Sequence, residues 1–312
     1  MGFKPFKGLS MTNGVRVVMI TYNGDQFFES QIDSILKQTY LDAISIYDDC
    51  SKVDFVEKLL KISTGSSKIH LQRNNENLGV IPNIKLALSE NHHAPYIALA
   101  DQDDVWLPEK LEKTYNEMKT VEAGENNIPV LVYHDMKIID ESDNVLDNTF
   151  WQLRRQNGFK HSFKTNLISN LVTGSASLMN NALAHFAKDI PENLNIYHDA
   201  WLAMVAYSMG RVKCIHEPLS MHRTHMNSLT FNSKSSKNLI QRVIINLKYL
   251  IGVQDYLTDQ FEFIESFLET YRNNLRDEYV SEFENFLSLR GSNFFKQKKM
   301  VRKLLRQQEV LC

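Results

Sequence analysis

The stretch YIALADQDDVWLP, Tyr96–Pro108, decides the fold, because an apolar strand in it runs directly into three carboxylates and then into a proline-initiated helix. No polar residue interrupts the run before Asp101, which is typical of a strand buried on both faces in a parallel sheet. In open α/β sheets, ligands bind at the carboxyl ends of the strands. The acidic turn, residues 101–104, is therefore predicted to lie in a ligand-binding crevice.

The acidic turn requires a positive partner. At an effective dielectric constant of about 20, two like charges about 4 Å apart repel by roughly 4 kcal/mol. Asp101, Asp103 and Asp104 therefore predict a bound Mg²⁺ or Mn²⁺ ion, which prefers carboxylate oxygens completed by substrate phosphates. The alternative is a structural turn that caps the helix beginning at Pro108, with Asp104 as the predicted cap. A cap alone does not account for three aspartates in four residues.

The N-terminal half repeats strand, polar turn and helix. Right-handed crossovers bring such turns to one edge of a parallel sheet. Strands are predicted at 15–20, 43–47, 69–72, 96–100, 130–135, 171–179 and 211–215.

Beyond the last predicted strand the pattern changes at about Phe231, and only amphipathic helical patterns remain. The predicted organisation is an N-terminal extension over 1–14, an α/β domain over 15–230 and a helical region over 231–312.

Composition and charge exclude several classes of protein. The net charge of −2 argues against a dedicated nucleic-acid binder, which usually has a strong basic excess. Cys50, Cys214 and Cys312 are far apart and form no C-x-x-C pair, so neither a zinc site nor a disulfide framework is predicted. No apolar run is long enough to span a bilayer and none has the character of a signal peptide. We expect a cytoplasmic protein, either soluble or peripheral at the inner membrane face.

The C-terminal segment FFKQKKMVRKLLR, residues 294–306, is basic and amphipathic. This profile is typical of a helix that lies at a membrane surface. The alternative is a solvated helix that packs on the domain, and both interpretations stay open. The C-terminal helices are also a candidate homodimer interface.

Nucleotide-binding motifs based on glycine are missing from the sequence. There is no G-x-G-x-x-G after the first strand and no G-x-x-x-x-G-K-[ST], which weakens the dinucleotide and P-loop interpretations.

Six motifs in register resemble glycosyltransferase family 2, whose members have the GT-A fold, and more narrowly its bacterial rhamnosyltransferase-like branch. The chain departs from the family at Cys50, where glycine is usual, and at Met221-His222, where an aromatic residue is common. The matching blocks are VMITYNG (18–24), DDCS (48–51), NLG (77–79), DQDDVW (101–106), HDAW (198–201) and HRTH (222–225).

The resemblance implies a mainly parallel, Rossmann-like central sheet flanked by helices, with a C-terminal helical extension. It also implies inverting, metal-dependent transfer of a sugar from a nucleotide-diphosphate donor, either dTDP-L-rhamnose or a UDP-hexose. The acceptor would be a hydroxyl of a glycan or lipid-linked oligosaccharide in bacterial surface polysaccharide synthesis. Two alternatives stay open: a nucleotide-sugar- or carbohydrate-binding scaffold without turnover, and a sugar-phosphate nucleotidyltransferase. The latter requires an N-terminal glycine-rich loop with a basic residue, which the sequence lacks.

The resemblance also assigns roles to residues of the donor site. Asp48 or Asp49 would accept a hydrogen bond from a uracil or thymine N–H, and Asp101 would reach the ribose hydroxyls. Asp103 would bind the metal, and His225 would complete its shell or help hold the diphosphate. The predicted nucleotide-sugar-binding residues are Thr21, Tyr22, Asn23, Asp48, Asp49, Asn77, Gly79, Asp101, Gln102 and Arg223.

Inversion needs a base on the opposite face of the sugar, and Asp199 is the candidate. The alternative role of Asp199 is an N-cap, since an aspartate at the start of a helix is commonly one. Gly174 is predicted to line the acceptor side. Trp201 beside the base would either stack on a sugar face or pack in the core.

Overall fold

The computed structural model describes residues 14–24, 26–125, 127–153, 161–194, 197–224 and 257–306. One nine-stranded sheet contains all the strands of these residues, and helices cover both of its faces. The strands are β1 (Val15–Thr21), β2 (Leu41–Asp48), β3 (Ile69–Arg73), β4 (Tyr96–Ala100), β5 (Val105–Trp106), β6 (Val130–Ile139), β7 (Val145–Asp147), β8 (Ser177–Asn180) and β9 (Arg211–Arg223).

The helices alternate with the strands in the N-terminal half and follow one another at the C-terminus. Three short 3₁₀ turns, Gly174–Ala176, His185–Asp189 and Arg272–Asn274, complete the elements. The α-helices are α1 (Phe28–Leu36), α2 (Val53–Gly65), α3 (Val80–Glu90), α4 (Lys110–Glu122), α5 (Phe150–Leu153), α6 (Phe163–Asn166), α7 (Asn181–Ala184), α8 (His198–Met209), α9 (Thr258–Tyr271), α10 (Asp277–Leu287) and α11 (Phe294–Arg306).

The first four strands form a parallel sheet in the order β3-β2-β1-β4. Their sequences are apolar and rich in β-branched residues, as expected for strands covered on both faces. Thr21 pairs with Asp48, and β4 ends beside β1 at Ala100. The turns that follow β1, β2 and β4 therefore meet at one edge, as the sequence predicts.

The second half of the sheet is mixed rather than parallel. β8 lies antiparallel between β4 and β6, and β9 runs parallel to β6. The predicted strand at 171–179 begins only at Ser177, because Gly174–Ala176 forms a 3₁₀ turn. The predicted strand at 211–215 continues to Arg223, with irregular register against β6 around Pro218.

β5 connects the acidic turn to the far edge of the sheet. It follows directly after residue 104 and pairs antiparallel with β9, where Trp106 lies opposite Ser220. This pairing places the carboxyl end of β9, His222 and Arg223, beside the acidic turn.

The C-terminal helices share the core of the α/β domain. Trp201 on α8 has no exposed surface and packs against Phe263, Phe267 and Tyr271 of α9. Its indole N–H donates to the Tyr271 hydroxyl at 3.4 Å. The expectation that Trp201 stacks on a sugar is therefore corrected: both ring faces are buried, so the residue packs in the core.

Helix α11 turns its less polar side inward. Gln297 and Leu304 are buried, whereas Phe295 and Arg302 are exposed. The apolar side of the helix thus packs on the protein and the basic side faces solvent. Among the described residues, no helix is long and apolar enough to cross a membrane.

Replacing Trp201 by alanine is expected to lower the free energy of unfolding by about 3–5 kcal/mol, because a large cavity opens between α8 and α9. Urea denaturation followed by circular dichroism measures the change. Phe295→Ala is the matched control, since it removes an aromatic ring that is 69% exposed. Equal effects of the two substitutions would contradict a shared core.

Candidate functional site

The turns at the carboxyl ends of the parallel strands hold one another by hydrogen bonds. The Tyr22 N–H donates to Gln102 Oε1 at 3.2 Å, which joins the turn after β1 to the acidic turn. The Asn23 N–H donates to the Ser51 hydroxyl at 2.8 Å, and Asn23 Oδ1 accepts from the Lys52 N–H at 2.9 Å. The side chain of Tyr22 remains about half exposed at this edge.

Asp48 is a structural carboxylate of the turn after β2. It has no exposed surface and accepts hydrogen bonds from the Ser51 N–H at 3.0 Å and from the hydroxyls of Thr21 and Ser51. Arg73 lies 3.5 Å from its second oxygen. A fully buried carboxylate offers no oxygen to a nucleobase, so the alternative that Asp48 reads the base is corrected. Thr21 is 2% exposed and serves the same turn.

Asp49 organises the loop that contains the N-L-G motif. Its Oδ1 accepts from the Leu78 N–H and its Oδ2 from the Gly79 N–H, both at 2.9 Å. The Asn77 amide donates to the Asp49 carbonyl at 3.2 Å. Gly79 has a φ of 83°, a left-handed conformation that suits glycine. The nucleotide contacts of Asp49, Asn77 and Gly79 stay predictions.

Cys50 takes the backbone conformation that favours the glycine usual at this position of the family. Its φ is 65°, in the left-handed region. For an L-residue this conformation costs roughly 1–2 kcal/mol. The turn therefore keeps its path despite the change from glycine to cysteine.

Asp104 is buried, whereas the other carboxylates of the acidic turn reach the surface. Asp104 Oδ1 lies 3.0 Å from His222 Nδ1 and accepts from the Arg223 N–H at 3.4 Å. Its Oδ2 accepts from the Ser175 hydroxyl at 3.1 Å. The prediction that Asp104 caps the next helix is wrong, because its oxygens face β9 and the 3₁₀ turn, and α4 begins at Lys110 without a side-chain cap.

Lys110 is a buried cation of the site that the sequence analysis did not identify. Its ammonium has no exposed surface, donates to the Ser175 carbonyl and lies 3.5 Å from the centre of the Trp106 ring. The helical period indicates this burial, because Lys110 lies on the same buried face of α4 as Thr114 and Met118, four and eight residues later.

Arg223 is a buried residue that hydrogen-bonds to the backbone of the acidic turn. It is 1% exposed, stacks 4.2 Å from the Phe27 ring and donates to the Asp103 carbonyl at 3.1 Å. Its other nitrogens reach the Asp140 carbonyl at 2.8 Å and the Asp143 carboxylate at 2.6 Å. The expectation that Arg223 binds the nucleotide-sugar is corrected, because its guanidinium is buried and all three nitrogens are engaged. His225 lies outside the described residues.

Positively charged side chains of the protein compensate the negative charge of Asp104. Burial alone would raise the pKa of Asp104, but the charge and hydrogen bond of His222, with Lys110, outweigh it and lower this pKa. Burial would lower the pKa of His222, but Asp104 above all raises it to about 9. Burial lowers the pKa of Lys110 to about 7, although Asp104 and Asp101 oppose the shift.

Asp101 is a carboxylate whose charged form is disfavoured at this site. The Asp101 side chain is exposed to solvent, although protein atoms surround the carboxylate densely. That surrounding protein and the charges of Asp104 and Asp103 raise the pKa of Asp101. Within the described residues, no group of three or more histidine, cysteine, aspartate or glutamate side chains is arranged to hold a metal ion. The carboxylates of Asp101 and Asp103 nevertheless match the oxygen donors that Mg²⁺ and Mn²⁺ prefer.

Asp199 lies in the first turn of α8 and faces the 3₁₀ turn. Its Oδ1 accepts from the Asn170 amide at 3.1 Å and its Oδ2 from the Gly174 N–H at 3.3 Å. Asp199 does not occupy the N-cap position of α8, which is Tyr197. A Cβ on Gly174 would lie 2.7 Å from His198 Nε2, so a side chain here would require the His198 ring to move.

Residues 16–183, more than half of the chain, match the family model described as "Glycosyl transferase family 2". The chain belongs to glycosyl transferase family 2. Over 217 residues it is 25% identical to an uncharacterized glycosyltransferase of Rickettsia prowazekii, covering 69% of this chain and 65% of that protein. Over 129 residues it is 31% identical to the Escherichia coli UDP-Glc:alpha-D-GlcNAc-diphosphoundecaprenol beta-1,3-glucosyltransferase WfgD, covering 41% of this chain and 47% of that protein.

Solved structures of glycosyltransferases share the fold. S. aureus TarS 1-349 in complex with UDP-GlcNAc superposes with a TM-score of 0.53 at 15% identity, covering 94% of this chain and 81% of that chain. The mannosyltransferase PcManGT from Pyrobaculum calidifontis, in complex with GDP-Man and Mn²⁺, gives 0.53 at 13% identity, with 98% and 79% covered. The predicted GT-A fold is thus confirmed, and the narrower rhamnosyltransferase-like branch stays a prediction. The alignments span less than two thirds of both sequence relatives.

Replacing His222 by glutamine should remove a pH-dependent part of the stability. Since the folded-state pKa of His222 is raised to about 9, its contribution is fully present below its ordinary pKa of 6.5 and is lost as the pH rises through 9. The variant should be less stable than the wild type at acidic pH, by up to about 3 kcal/mol, and this difference should shrink at alkaline pH.

Urea denaturation in metal-free buffer across this pH range measures the difference. The control is His92→Gln, which changes an exposed ring. A difference between wild type and His222→Gln that does not vary with pH would contradict the His222–Asp104 ion pair.

Proposed function

We propose that the protein is an inverting glycosyltransferase that transfers a sugar from a nucleotide-diphosphate donor to a hydroxyl of a lipid-linked or other glycan. One observation carries this proposal. The turn at Gly174 and Ser175 contacts Asp199 on one side and Asp104 of the acidic turn on the other. The candidate base and the candidate donor carboxylates therefore belong to one connected site.

The donor is proposed to carry a pyrimidine nucleotide, as a UDP-hexose or dTDP-L-rhamnose. The partial similarity to WfgD, whose name specifies UDP-Glc, supports the UDP-hexose. Tyr22 and Gln102 lie at the exposed edge of the site, and Asp49 retains a small exposed surface beside them. These residues are proposed to contact the nucleoside, with Asp101 on the ribose.

A divalent cation fits the exposed carboxylates. The raised pKa of Asp101 reflects the negative charges of Asp104 and Asp103 as well as burial, and a cation would relieve that repulsion. Asp103, together with Asp101, would hold Mg²⁺ or Mn²⁺, with diphosphate oxygens completing the shell. The ion would supply charge neutralisation to the leaving nucleoside diphosphate.

Asp199 is proposed as the general base. Its carboxylate takes the proton of the acceptor hydroxyl while the oxygen forms a bond to the anomeric carbon. The bond between that carbon and the diphosphate breaks at the same time, and its electron pair leaves with the nucleoside diphosphate. Attack from the face opposite the leaving group inverts the configuration. Asn170 and Gly174 donate to Asp199 and orient it, and Gly174 is proposed to line the acceptor side.

Replacing Asp199 by asparagine removes the base while keeping its shape. We expect kcat to fall at least about 100-fold, since general-base catalysis contributes roughly 10²–10⁴-fold. Binding of UDP or dTDP with Mn²⁺, measured by calorimetry, should change little. Asp33→Asn on the exposed side of α1 is the matched control.

The activity is measured by a donor screen on the purified protein, in which the released UDP, dTDP or GDP is detected. Transfer by Asp199→Asn at the wild-type rate would contradict the role of Asp199. Nucleotide binding without turnover of any donor would favour the non-catalytic scaffold, and no binding would exclude the nucleotide-sugar site.

The basic face of α11 is proposed to contact an anionic membrane surface, where lipid-linked acceptors reside. Helix α11 contains no acidic residue. Because its apolar side packs on the protein, the contact would be electrostatic rather than insertive. The exposed cations of this face are Lys296, Lys299, Arg302 and Lys303.

Charge reversal on this face should release the protein from anionic vesicles. Arg302→Glu with Lys303→Glu is expected to reduce binding to phosphatidylglycerol vesicles at least about tenfold, since each basic residue near the surface contributes about 1 kcal/mol. Lys37→Glu with Lys61→Glu carries the same charge change just after α1 and on α2, and should bind as the wild type does. Sedimentation with phosphatidylcholine vesicles gives the background.

Equal loss in both double variants would contradict a contact through α11. The mass of the wild-type protein in solution, from light scattering on the same samples, tests the predicted homodimer.

A further inference from the structure

Ser175 is held at both its hydroxyl and its carbonyl by buried charged groups. The hydroxyl donates to Asp104 Oδ2 at 3.1 Å, and the carbonyl accepts from the Lys110 ammonium. Asp104 and Lys110 have no exposed surface, and Ser175 is 2% exposed. We name Asp104, Lys110 and Ser175 the Ser175 cluster.

The residue before Ser175 contacts the candidate base. The Gly174 N–H donates to Asp199 Oδ2, and the space beside Gly174 is filled by the His198 ring. The turn is closed by hydrogen bonds from the Ala176 N–H to the Thr173 carbonyl at 2.9 Å and from the Ser177 hydroxyl to the Gly174 carbonyl at 2.8 Å, so its residues move together. A displacement of Ser175 is therefore transmitted to the hydrogen bond that orients Asp199.

Stability alone does not account for a lysine at position 110. Burial disfavours its charged form, as the lowered pKa of Lys110 shows. An apolar side chain of similar length at such a position is often neutral or stabilising. The ammonium instead lies where it satisfies the Ser175 carbonyl and faces the carboxylate of Asp104.

We propose that the Ser175 cluster positions the Gly174–Ser175 turn, and through it Asp199, relative to the donor carboxylates of the acidic turn. Ser175 and Lys110 are thus positioning residues that touch neither donor nor acceptor. The proposal rests on the proposed glycosyl transfer with Asp199 as base. It predicts that loosening the turn lowers kcat more than it changes the donor KM, since the Ser175 side chain also hydrogen-bonds Asp101 on the donor side.

The experiment compares Ser175→Ala with Ser175→Thr and Ser208→Ala. Ser175→Ala removes the hydrogen bond to Asp104 and should lower kcat about 10- to 100-fold, because a displacement of about 1 Å of a catalytic group can cost 10²-fold. Ser175→Thr retains the hydroxyl and should recover most of the activity. Ser208 is also a buried serine, but its hydroxyl bonds within α8 to the Met204 carbonyl. Ser208→Ala should therefore keep the wild-type kcat.

A second comparison separates positioning of Asp199 from a general loss of structure. In the Asp199→Asn background, Ser175→Ala should have no further effect on the remaining transfer, because coupled groups are not additive. Lys110→Met, which keeps the length of the side chain, should show the same kcat loss and the same lack of additivity.

The outcomes distinguish this proposal from the proposed function. If Asp199→Asn abolishes transfer while Ser175→Ala retains the wild-type kcat, the positioning role is overturned and the glycosyltransferase function stands. A rise in donor KM with unchanged kcat, or an equal loss from Ser175→Ala in both backgrounds, also overturns it. If the wild-type protein transfers no sugar from any donor, the proposed function fails, and the positioning role fails with it.

Discussion

The burial of the Asp104 carboxylate is the constraint on which the rest of the site depends. A buried charge without partners costs several kcal/mol, so the chain must bring donors to it. Those donors are the Ser175 hydroxyl, the His222 ring and the Arg223 N–H, which come from elements 71 to 119 residues away in sequence. Satisfying one side chain thus brings together the acidic turn, the 3₁₀ turn and the end of β9, which pairs with β5.

This constraint divides the three aspartates of the acidic turn into two kinds. Lys110 and His222 compensate Asp104 within the protein. The pKa of Asp101 is raised to about 7, because burial and the charges of Asp104 and Asp103 outweigh the Ser175 hydrogen bond and the charge of His222. Crowded carboxylates alone suggest that all three serve a cation, whereas burial separates Asp104 from Asp101, which is exposed, and from Asp103, which is half-buried. The electrostatic case for a metal therefore depends on Asp101 and Asp103 rather than on all three aspartates.

The fold of the N-terminal half could be predicted from sequence because each of its strands and turns can be identified from a short stretch of residues. Each strand there is an apolar run that ends in a polar turn, and a parallel sheet places all those turns at one edge. The second half could not, because Pro218 and its charged neighbours interrupt the apolar pattern of β9. The burial of Lys110 could not be predicted either, because a lysine in a helix is expected in solvent, and the Ser175 carbonyl and Asp104 carboxylate that stabilise its ammonium are distant or separate in sequence.

Motif membership and ligand contact are separate properties of these residues. Asp48 and Arg223 lie in sequence blocks that resemble motifs of the family, yet both are buried and engaged in holding turns. A turn at a strand end must form hydrogen bonds to its own backbone groups and pair its own charges before any ligand binds. Some residues of such a motif therefore serve the structure of the turn and do not contact a ligand. The exposed residues, Tyr22 and Asp101 foremost, are the ones proposed to contact the donor. Among the buried residues, Asp104 joins the acidic turn to the 3₁₀ turn that contacts Asp199, through the Ser175 hydroxyl and the Gly174 N–H.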